Sequence, residues 1–284
     1  MMALSAALML TACVEHDMTG ELTAGMTPAD SMKSKTITFT FGEISQRSMT
    51  RATLSELNLT DLWIFDYAGD ELKQTIHQAS TDAAFGSASL SLDYGEHIFY
   101  FIASRGIDPV IDTEAKTIVW GSVRDTFHAS LSIDVQPASA TSQAVTLSRV
   151  VGRLRISATD VVPANASKLT ITPSTRYYGL NYQTGEAVGS STSPIVVNIP
   201  SSYVGTQNLV TSFYTVSGSS AWQTNITVSL IASDESSLGS VTIPDVPIKR
   251  NHITSYSGGI VGAGRSISVN ASDDDWVDDG NVNW

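Results

Sequence analysis

The side chains that could support catalysis or bind a metal are few and scattered in this 284-residue sequence. It has a single cysteine, which excludes an intramolecular disulfide framework and a cysteine zinc site. No histidine pair has the His-x-x-x-His spacing of a metal helix, and no serine lies in a Gly-x-Ser-x-Gly elbow. The histidines are His16, His77, His97, His128 and His252. We therefore predict that the protein is not an enzyme, has no metal site and needs no cofactor, and that His97, within a strand, is packed or paired.

The densest set of potential metal ligands is a run of aspartates near the C-terminus. Carboxylate oxygens suit calcium, but the run lacks the 1, 3, 5, 7, 9, 12 spacing of an EF-hand loop. The aspartates are Asp273, Asp274, Asp275, Asp278 and Asp279. We interpret residues 271–284 as an acidic, solvated C-terminal tail or strand rather than a calcium site.

The amino-acid composition favours a folded protein and excludes some classes of function. Hydrophobic residues make up 42% of the chain and charged residues 15%, which is enough apolar mass for a folded core. The formal net charge of −12 repels phosphate backbones, so nucleic acid is excluded as a partner. Beyond the N-terminus, no run approaches the ~18 apolar residues of a membrane-spanning helix.

The N-terminal segment carries the lone cysteine. An apolar run at residues 3–10 leads into Leu10-Thr11-Ala12-Cys13, which resembles the lipobox of bacterial lipoproteins. The resemblance implies a signal peptide at 1–12, a diacylglyceryl lipid on Cys13 that anchors the protein in the outer membrane, and a flexible tether at 13–34. No Lys or Arg precedes the run, so we expect the true start codon to lie upstream. The alternative is a structural cysteine in an ordinary first helix.

The remaining sequence has the pattern of β-strands. Residues 35–43 (KTITFTFGE) alternate strictly, with Ile37, Phe39 and Phe41 on one face and threonines on the other. Further short apolar runs, separated by Gly, Pro, Asn and Ser turns, predict an all-β protein built of sandwiches. The predicted strands are 62–65, 87–92, 98–103, 117–120, 144–159, 168–172, 195–199, 209–216, 226–232, 240–243 and 266–270. We place a domain boundary within 140–148.

Four segments, taken in order, resemble motifs of the fimbrillins, which are the shaft, tip and anchor subunits of Bacteroidota type V pili. The segments are 62–69 (LWIFDYAG), 94–103 (YGEHIFYFIA), 147–156 (LSRVVGRLRI) and 247–252 (PIKRNH). The resemblance implies two tandem transthyretin-like β-sandwich domains, at 35–146 and 147–270. It also implies a structural subunit of a cell-surface fimbria, whose partners are other fimbrial subunits, copies of itself or related chains, and a host or bacterial surface receptor.

The same resemblance implies assembly by strand exchange. An arginine-specific protease would remove the first strand, with Ile37, Phe39 and Phe41, after Arg47 or Arg51. The opened groove would accept a strand from another subunit, because unpaired backbone groups template a partner strand. In the C-terminal tail the donor candidates are Trp276, Val282 and Trp284. Both arginines can instead be ordinary loop residues, and both tryptophans can pack on their own domain.

A monomeric surface lipoprotein that binds a glycan or a host protein is the alternative function. The aromatic residues for such binding are Tyr177, Tyr178, Tyr182 and Trp222, which can equally fill the sandwich. A polar, aromatic-lined groove without a strand vacancy would favour this binder. A first strand inserted beside the final strand, followed by an exposed arginine loop, would favour the pilus subunit. Anchor and polymerising roles both stay open at this stage.

Overall fold

The computed structural model describes residues 34–45, 53–261 and 267–274. In these residues the chain is built of strands, with one turn of 3-10 helix at Ser201–Tyr203 and no α-helix. The strands are β1 Ser34–Ser45, β2 Asp61–Ala68, β3 Glu71–Ala79, β4 Ser87–Asp93, β5 Gly95–Ser104, β6 Ile107–Asp112, β7 Thr117–Ser122, β8 Thr126–Val135, β9 Ser142–Arg149, β10 Val151–Ala158, β11 Ala166–Pro173, β12 Arg176–Asn181, β13 Glu186–Ser191, β14 Ile195–Asn198, β15 Leu209–Val216, β16 Trp222–Ala232, β17 Ser237–Ile248, β18 Ile253–Gly258 and β19 Ile267–Asp274. The predicted all-β fold is confirmed.

These strands form four sheets. Sheet I has seven strands in the order β3-β2-β5-β8-β9-β1-β4. Sheet II has the order β15-β10-β18-β19, and sheet III has the order β14-β11-β16-β17. Sheet IV has the order β13-β12-β7-β6, so it combines two strands from each half of the chain.

Sheet I folds over on itself to enclose a first core. Strands β8 and β9 pair at only two positions, Phe127 with Arg149 and His128 with Ser148. Neighbouring strands lie about 4.8 Å apart, so a flat sheet would hold β1 and β5 about 14 Å apart. The ring centroids of Phe39 on β1 and Phe99 on β5 are nevertheless 4.7 Å apart. The sheet therefore turns a corner at the short β8–β9 contact, and its two ends face each other as a sandwich.

Sheets II and III enclose a second core. Its members include Leu154 and Ile156 from β10, Ile171 from β11 and Val228 from β16, all buried. The inward residues alternate along each strand, as the period of two requires. Beside antiparallel β15, β10 pairs in parallel with β18, which brings segments distant in sequence together.

A third core lies between sheet I and sheet IV. On β2, Leu62 and Ile64 face the first core, whereas Trp63, Phe65 and Tyr67 face the third. A strand buried on both faces gives a continuous apolar run rather than an alternating one. This explains why 62–65 was recognisable from sequence by its hydrophobicity alone.

The structure modifies some of the sequence-based boundaries. The predicted strand 144–159 is two strands, β9 and β10, which separate at Val150 and belong to different sheets. The domain boundary expected between 146 and 147 falls inside β9, and the division into two domains stays a prediction. The signal peptide, nearly all of the tether and most of the C-terminal tail lie outside the described residues. The part of the chain that the structure describes contains no helix of the length and apolarity needed to span a membrane.

Candidate strand-exchange site

Strand β1 is an inner strand of sheet I, with a partner on each side. It runs antiparallel to β4, with registered pairs from Ser34 with Asp93 to Thr40 with Ser87. It runs parallel to β9, and the register shifts between Thr40 and Glu43. Its backbone groups are therefore used along both edges, as in the centre of a sheet.

The apolar face of β1 is fully inserted in the first core. Ile37, Phe39 and Phe41 are 2%, 0% and 4% exposed. Besides Phe99, Phe39 contacts Phe101 with ring centroids 5.5 Å apart, and Phe41 meets Phe101 edge-on at 5.3 Å. These three residues are the predicted inward face of the removable strand, and the structure brings them together in one core.

The polar face and the first residues of β1 make contacts that stabilise the fold less than burial of its apolar face does. The hydroxyls of Thr38 and Ser89 are 2.8 Å apart across the β1–β4 pair. Lys35 Nζ donates to the carbonyl oxygens of Pro137, at 2.7 Å, and of Ser139. Exposed contacts of this kind contribute little to stability, so burial of the apolar face is what holds β1 in the sheet.

Strand β4 depends on β1 for its place in the sheet. It is the terminal strand of sheet I, and β1 is its partner in the described chain. Withdrawal of β1 would leave one edge of β4 and one edge of β9 unpaired, with an apolar slot between them. Such a slot accepts an extended segment whose apolar side chains repeat at every second residue, parallel to β9 and antiparallel to β4.

The structure does not describe the other residues that were predicted for this site. Cys13, Arg47, Arg51 and the tail candidates are outside the described residues. The tail candidates are Trp276, Val282 and Trp284. The arrangement that would have favoured the pilus subunit, a first strand beside the final strand, is not seen among the described strands: β1 lies between β9 and β4 in sheet I, whereas β19, the last described strand, pairs with β18 in sheet II. Parallel pairing with β9 is possible because the long chain between the two strands provides the crossover.

The aromatic residues considered for sugar binding do not form an open groove. Tyr182 is completely buried and stacks on Phe65, with ring centroids 4.4 Å apart. Tyr177 and Tyr178 pack against the third core, and Trp222 meets Tyr177 edge-on at 5.1 Å. Tyr182 thus lies inside the core, and the other three rings are half-buried against the cores, as expected if they fill the sandwich.

Two of the motif segments meet at Arg149, which also forms a buried ion pair with Asp125. The sequence analysis did not predict this ion pair. Arg149 Nε and Nη2 donate to the two carboxylate oxygens of Asp125 at 2.6 and 2.9 Å. Arg149 Nη1 donates to Asn251 Oδ1 at 2.7 Å, and the guanidinium lies 4.6 Å from the Phe127 ring centroid. The arginine thus joins the end of β9 to the turn between β17 and β18. The sequence did contain a signal for this contact, because Arg149 lies in the segment 147–156 and Asn251 lies in the segment 247–252.

Two histidines of the interior also have structural partners. His97 Nδ1 lies 2.7 Å from Asp66 Oδ1, which confirms the prediction of a paired histidine. His128 Nε2 donates to the Tyr182 carbonyl at 2.7 Å. Burial lowers the pKa of His128, against the opposing effect of that hydrogen bond, and the Arg250 guanidinium lowers it further. Within the described ranges, no group of three or more His, Cys, Asp or Glu residues is placed to hold a metal ion.

Comparison with known proteins assigns the chain to a family. A family model described as "Family of unknown function (DUF6562)" matches residues 98–283. The chain belongs to this family. No curated protein matches it in sequence.

Solved structures with the same fold come from Bacteroidota. A candidate adhesin from Bacteroides ovatus aligns with a TM-score of 0.56 at 11% identity, over 84% of this chain and 95% of its own. A candidate polysaccharide-binding protein (DUF1812) from Bacteroides thetaiotaomicron aligns with a TM-score of 0.56 at 8% identity, over 83% and 96%. The fimbrial anchor protein Mfa2 from Porphyromonas gingivalis aligns with a TM-score of 0.50 at 8% identity, over 84% and 98%. This DUF6562 member therefore has the fold of Bacteroidota fimbrial and adhesin proteins, as the fimbrillin resemblance predicted.

Proposed function

We propose that this chain is a structural subunit of a cell-surface fimbria, assembled by β-strand exchange and supporting adhesion. The observation that carries the proposal is the position of β1, an N-terminal strand that is nevertheless an inner strand of a closed sandwich. Because β1 precedes all the other described strands, a single cut after it separates it from them, and the slot that it leaves fits a strand from another subunit. The fold shared with a fimbrial anchor protein supports the same role.

Energetics indicate that the slot would not stay empty. Each fully buried Ile or Phe side chain stabilises the fold by about 1.5–3 kcal/mol, so the three side chains of β1 contribute roughly 5–9 kcal/mol. A whole domain is stable by only about 5–15 kcal/mol. A subunit without β1 would therefore need a donor strand to remain folded, which couples strand removal to assembly.

The remaining parts of the proposal concern residues 1–33, 46–52 and 275–284. Cys13 would carry the lipid that holds the precursor at the outer membrane, and the chain would be cut after Arg47 or Arg51. Val282 and Trp284, two residues apart, would occupy positions of the slot equivalent to those of two β1 side chains. The chain would comprise two sandwich domains, at 35–146 and 147–270.

The first test is the N-terminus and intact mass of the protein recovered from the outer surface of its native cell. A start at Ser48 or Ala52 means that β1 is removed and that the subunit polymerises. A start at lipidated Cys13 with β1 retained means an uncut anchor, provided that the protein co-purifies with fimbriae. A start at Met1 without lipid, or an uncut protein separate from any fimbria, would overturn the proposal.

Two tail variants test the donor strand. Val282→Asp places a charge on the face that would enter the slot, whereas Asn283→Asp places the same charge on the opposite face. We expect Val282→Asp to remove the polymer ladder on a denaturing gel without boiling, and Asn283→Asp to leave it. Equal effects of the two variants would contradict insertion of the tail as a strand.

A further inference from the structure

Strand β4, which forms one wall of the slot, is held by side chains of other strands as well as by β1. Gln78 on β3 is 8% exposed, and its amide group binds the backbone at the start of β4. Its Nε2 donates to the Ser87 carbonyl at 2.8 Å, and its Oε1 accepts from the Gly86 amide at 3.1 Å. The Gln78 side chain thus pairs with β4 as a peptide group of a neighbouring strand would.

The Gln78 amide binds the edge of β4 that is turned away from β1. The Phe41 amide of β1 donates to the Gly86 carbonyl at 3.1 Å, and Thr40 lies opposite Ser87. In an antiparallel ladder this makes Thr40 and Ser87 a non-hydrogen-bonded pair, so the Ser87 carbonyl points away from β1. The hydrogen bond from Gln78 to Ser87 therefore does not depend on β1 and persists when β1 is withdrawn.

A buried histidine holds the other end of β4. The strand ends at Asp93, and β5 begins at Gly95, so a single residue links them. His97 Nε2 lies 3.0 Å from the Asp93 carbonyl oxygen, and the ring is fixed on its other side by Asp66, 2.7 Å from Nδ1. His97 and Asp66 are 4% and 0% exposed. Both ends of β4 are therefore fixed by buried side chains that do not belong to β1.

Without such fixing, an empty slot could close on itself. Strand β1 is antiparallel to β4 and parallel to β9, so β4 and β9 are antiparallel to each other. If β1 left, a sideways movement of β4 by one strand spacing, about 4.8 Å, would let it pair with β9. Buried Ala88 and Leu90 of β4 lie opposite Phe39 and Ile37 of β1. The same movement would carry them into the space that the apolar face of β1 leaves, and the slot would be lost.

We propose that Gln78 is a positioning residue for strand exchange, which holds β4 in place while β1 is absent and so keeps the slot one strand wide. The hydrogen bonds of Gln78 are 2.8 and 3.1 Å long, so a movement of about 4.8 Å would break both. A wall that is already in position lowers the cost of ordering when a donor strand binds. The role in exchange rests on the proposed function, whereas the hold on β4 is a property of the folded chain by itself.

Disulfide trapping on the full chain measures closure of the slot. Ser89 on β4 and Ser142 on β9 both lie opposite Thr38, one on each side of β1. With β1 in place, two strand spacings, roughly 10 Å, separate their Cα atoms, which is too far for a disulfide. With β4 against β9 the separation falls to about 5 Å, which a disulfide can span. The double variant Ser89→Cys/Ser142→Cys, made with Cys13→Ser so that no other thiol is present, therefore reports closure.

The rate of cross-linking is compared with and without the Gln78 amide, under a mild oxidant and at a urea concentration just below the unfolding transition, where β1 opens most often. Gln78→Met keeps the length of the side chain but makes neither hydrogen bond, and we expect it to raise the rate at least tenfold. Gln78→Asn, one methylene shorter, should act in the same direction and replaces Gln78→Met if that variant does not fold. Ile76→Val, on the same face of β3, loosens the first core but leaves both hydrogen bonds, and should change the rate less than threefold.

A second cysteine pair controls for general unfolding. Val196 on β14 and Ser229 on β16 both lie opposite Thr170 of β11, so Val196→Cys/Ser229→Cys flanks an inner strand of sheet III that is not expected to leave. Its cross-linking rate should not respond to Gln78→Met. An unchanged rate at the β4–β9 pair, an equal increase at both pairs, or an equal increase with Ile76→Val would overturn the proposed hold.

The trapping experiment and the test of the proposed function can fail separately. Cross-linking reports whether Gln78 holds β4, and it needs no other subunit. The N-terminus of the native protein reports whether β1 is removed. A chain in which Gln78 holds β4 but β1 is never removed and no fimbria is found would refute the fimbrial role alone. A chain that polymerises although Gln78→Met leaves trapping unchanged would refute the hold alone.

Discussion

Removing the charge of Asp125 should destabilise the protein more than any surface substitution. The side chains of Arg149 and Asp125 are 1% and 3% exposed, and the pair shares two hydrogen bonds. Asp125→Asn keeps the size of the side chain but removes the negative charge that lies against the buried guanidinium. Breaking a buried pair in this way costs about 3–5 kcal/mol, a large part of a total stability of about 5–15 kcal/mol.

Urea unfolding of a double-mutant cycle measures this effect. The single variants are Asp125→Asn and Arg149→Met, and the double variant combines them. Each single variant removes one charge of the buried pair and keeps the other, whereas the double variant removes both charges. We therefore expect the double variant to lose at least 2 kcal/mol less than the sum of the single losses.

An exposed ion pair provides the matched control. Lys73 Nζ lies 2.6 Å from Glu71 Oε2, as close as Arg149 Nε lies to Asp125 Oδ1, but Glu71 is 72% exposed. The same cycle there should give a coupling energy below about 1 kcal/mol. If Asp125→Asn lost less than 1 kcal/mol, or if the two cycles gave equal coupling, burial would not be the source of the energy and the reasoning would fail.

Three further predictions concern other parts of the fold. Phe39→Ala should lower the free energy of unfolding by about 3–5 kcal/mol, as measured by urea unfolding, because it opens a cavity beside the rings of Phe99 and Phe101. Because the pKa of His128 is lowered in the folded state, the unfolded chain takes up the proton first as the pH falls below about 6.5. Stability should therefore fall between pH 7 and pH 5.5, and His128→Gln should reduce that slope in thermal unfolding scans. Gly152→Ala would place a Cβ 2.8 Å from the Lys249 carbonyl, so we expect a loss of about 1–3 kcal/mol by urea unfolding; a neutral substitution would mean that the contact relaxes freely.

Period-two patterns and apolar runs in the sequence were sufficient to predict many of the strands. The alternation of Ile37, Phe39 and Phe41 gave both the strand and its buried face correctly. Strand β8 was missed although Phe127, Ala129, Leu131, Ile133 and Val135 alternate along it, so the signal was available. Strand β3 offered no such signal, because it is an edge strand whose residues are mostly exposed or half-buried. Its pairing with β2 comes from tertiary structure rather than from its own hydrophobicity.

The arrangement of strands could not be read from local pattern. The parallel neighbour of β1 is β9, about one hundred residues later, and periodicity contains no information about such a partner. The residue types of β1 could be read from the sequence, whereas the position of β1 between β9 and β4 depends on the topology of the whole sheet.

Because sheet IV takes strands from both halves of the chain, it constrains the order in which the chain can fold. Strands β7 and β12 join the two halves through only three registered pairs, Val119 with Gly179, Ile118 with Leu180 and Thr117 with Asn181. A chain made and exported from its N-terminus presents the aromatic outer face of β2, including Trp63 and Phe65, before the covering β12 has been synthesised. Closing so long a loop is entropically slow, so this face stays open until late. The second half of the polypeptide thus covers an apolar face of the first, and a chain that stalls before β12 would leave that face exposed.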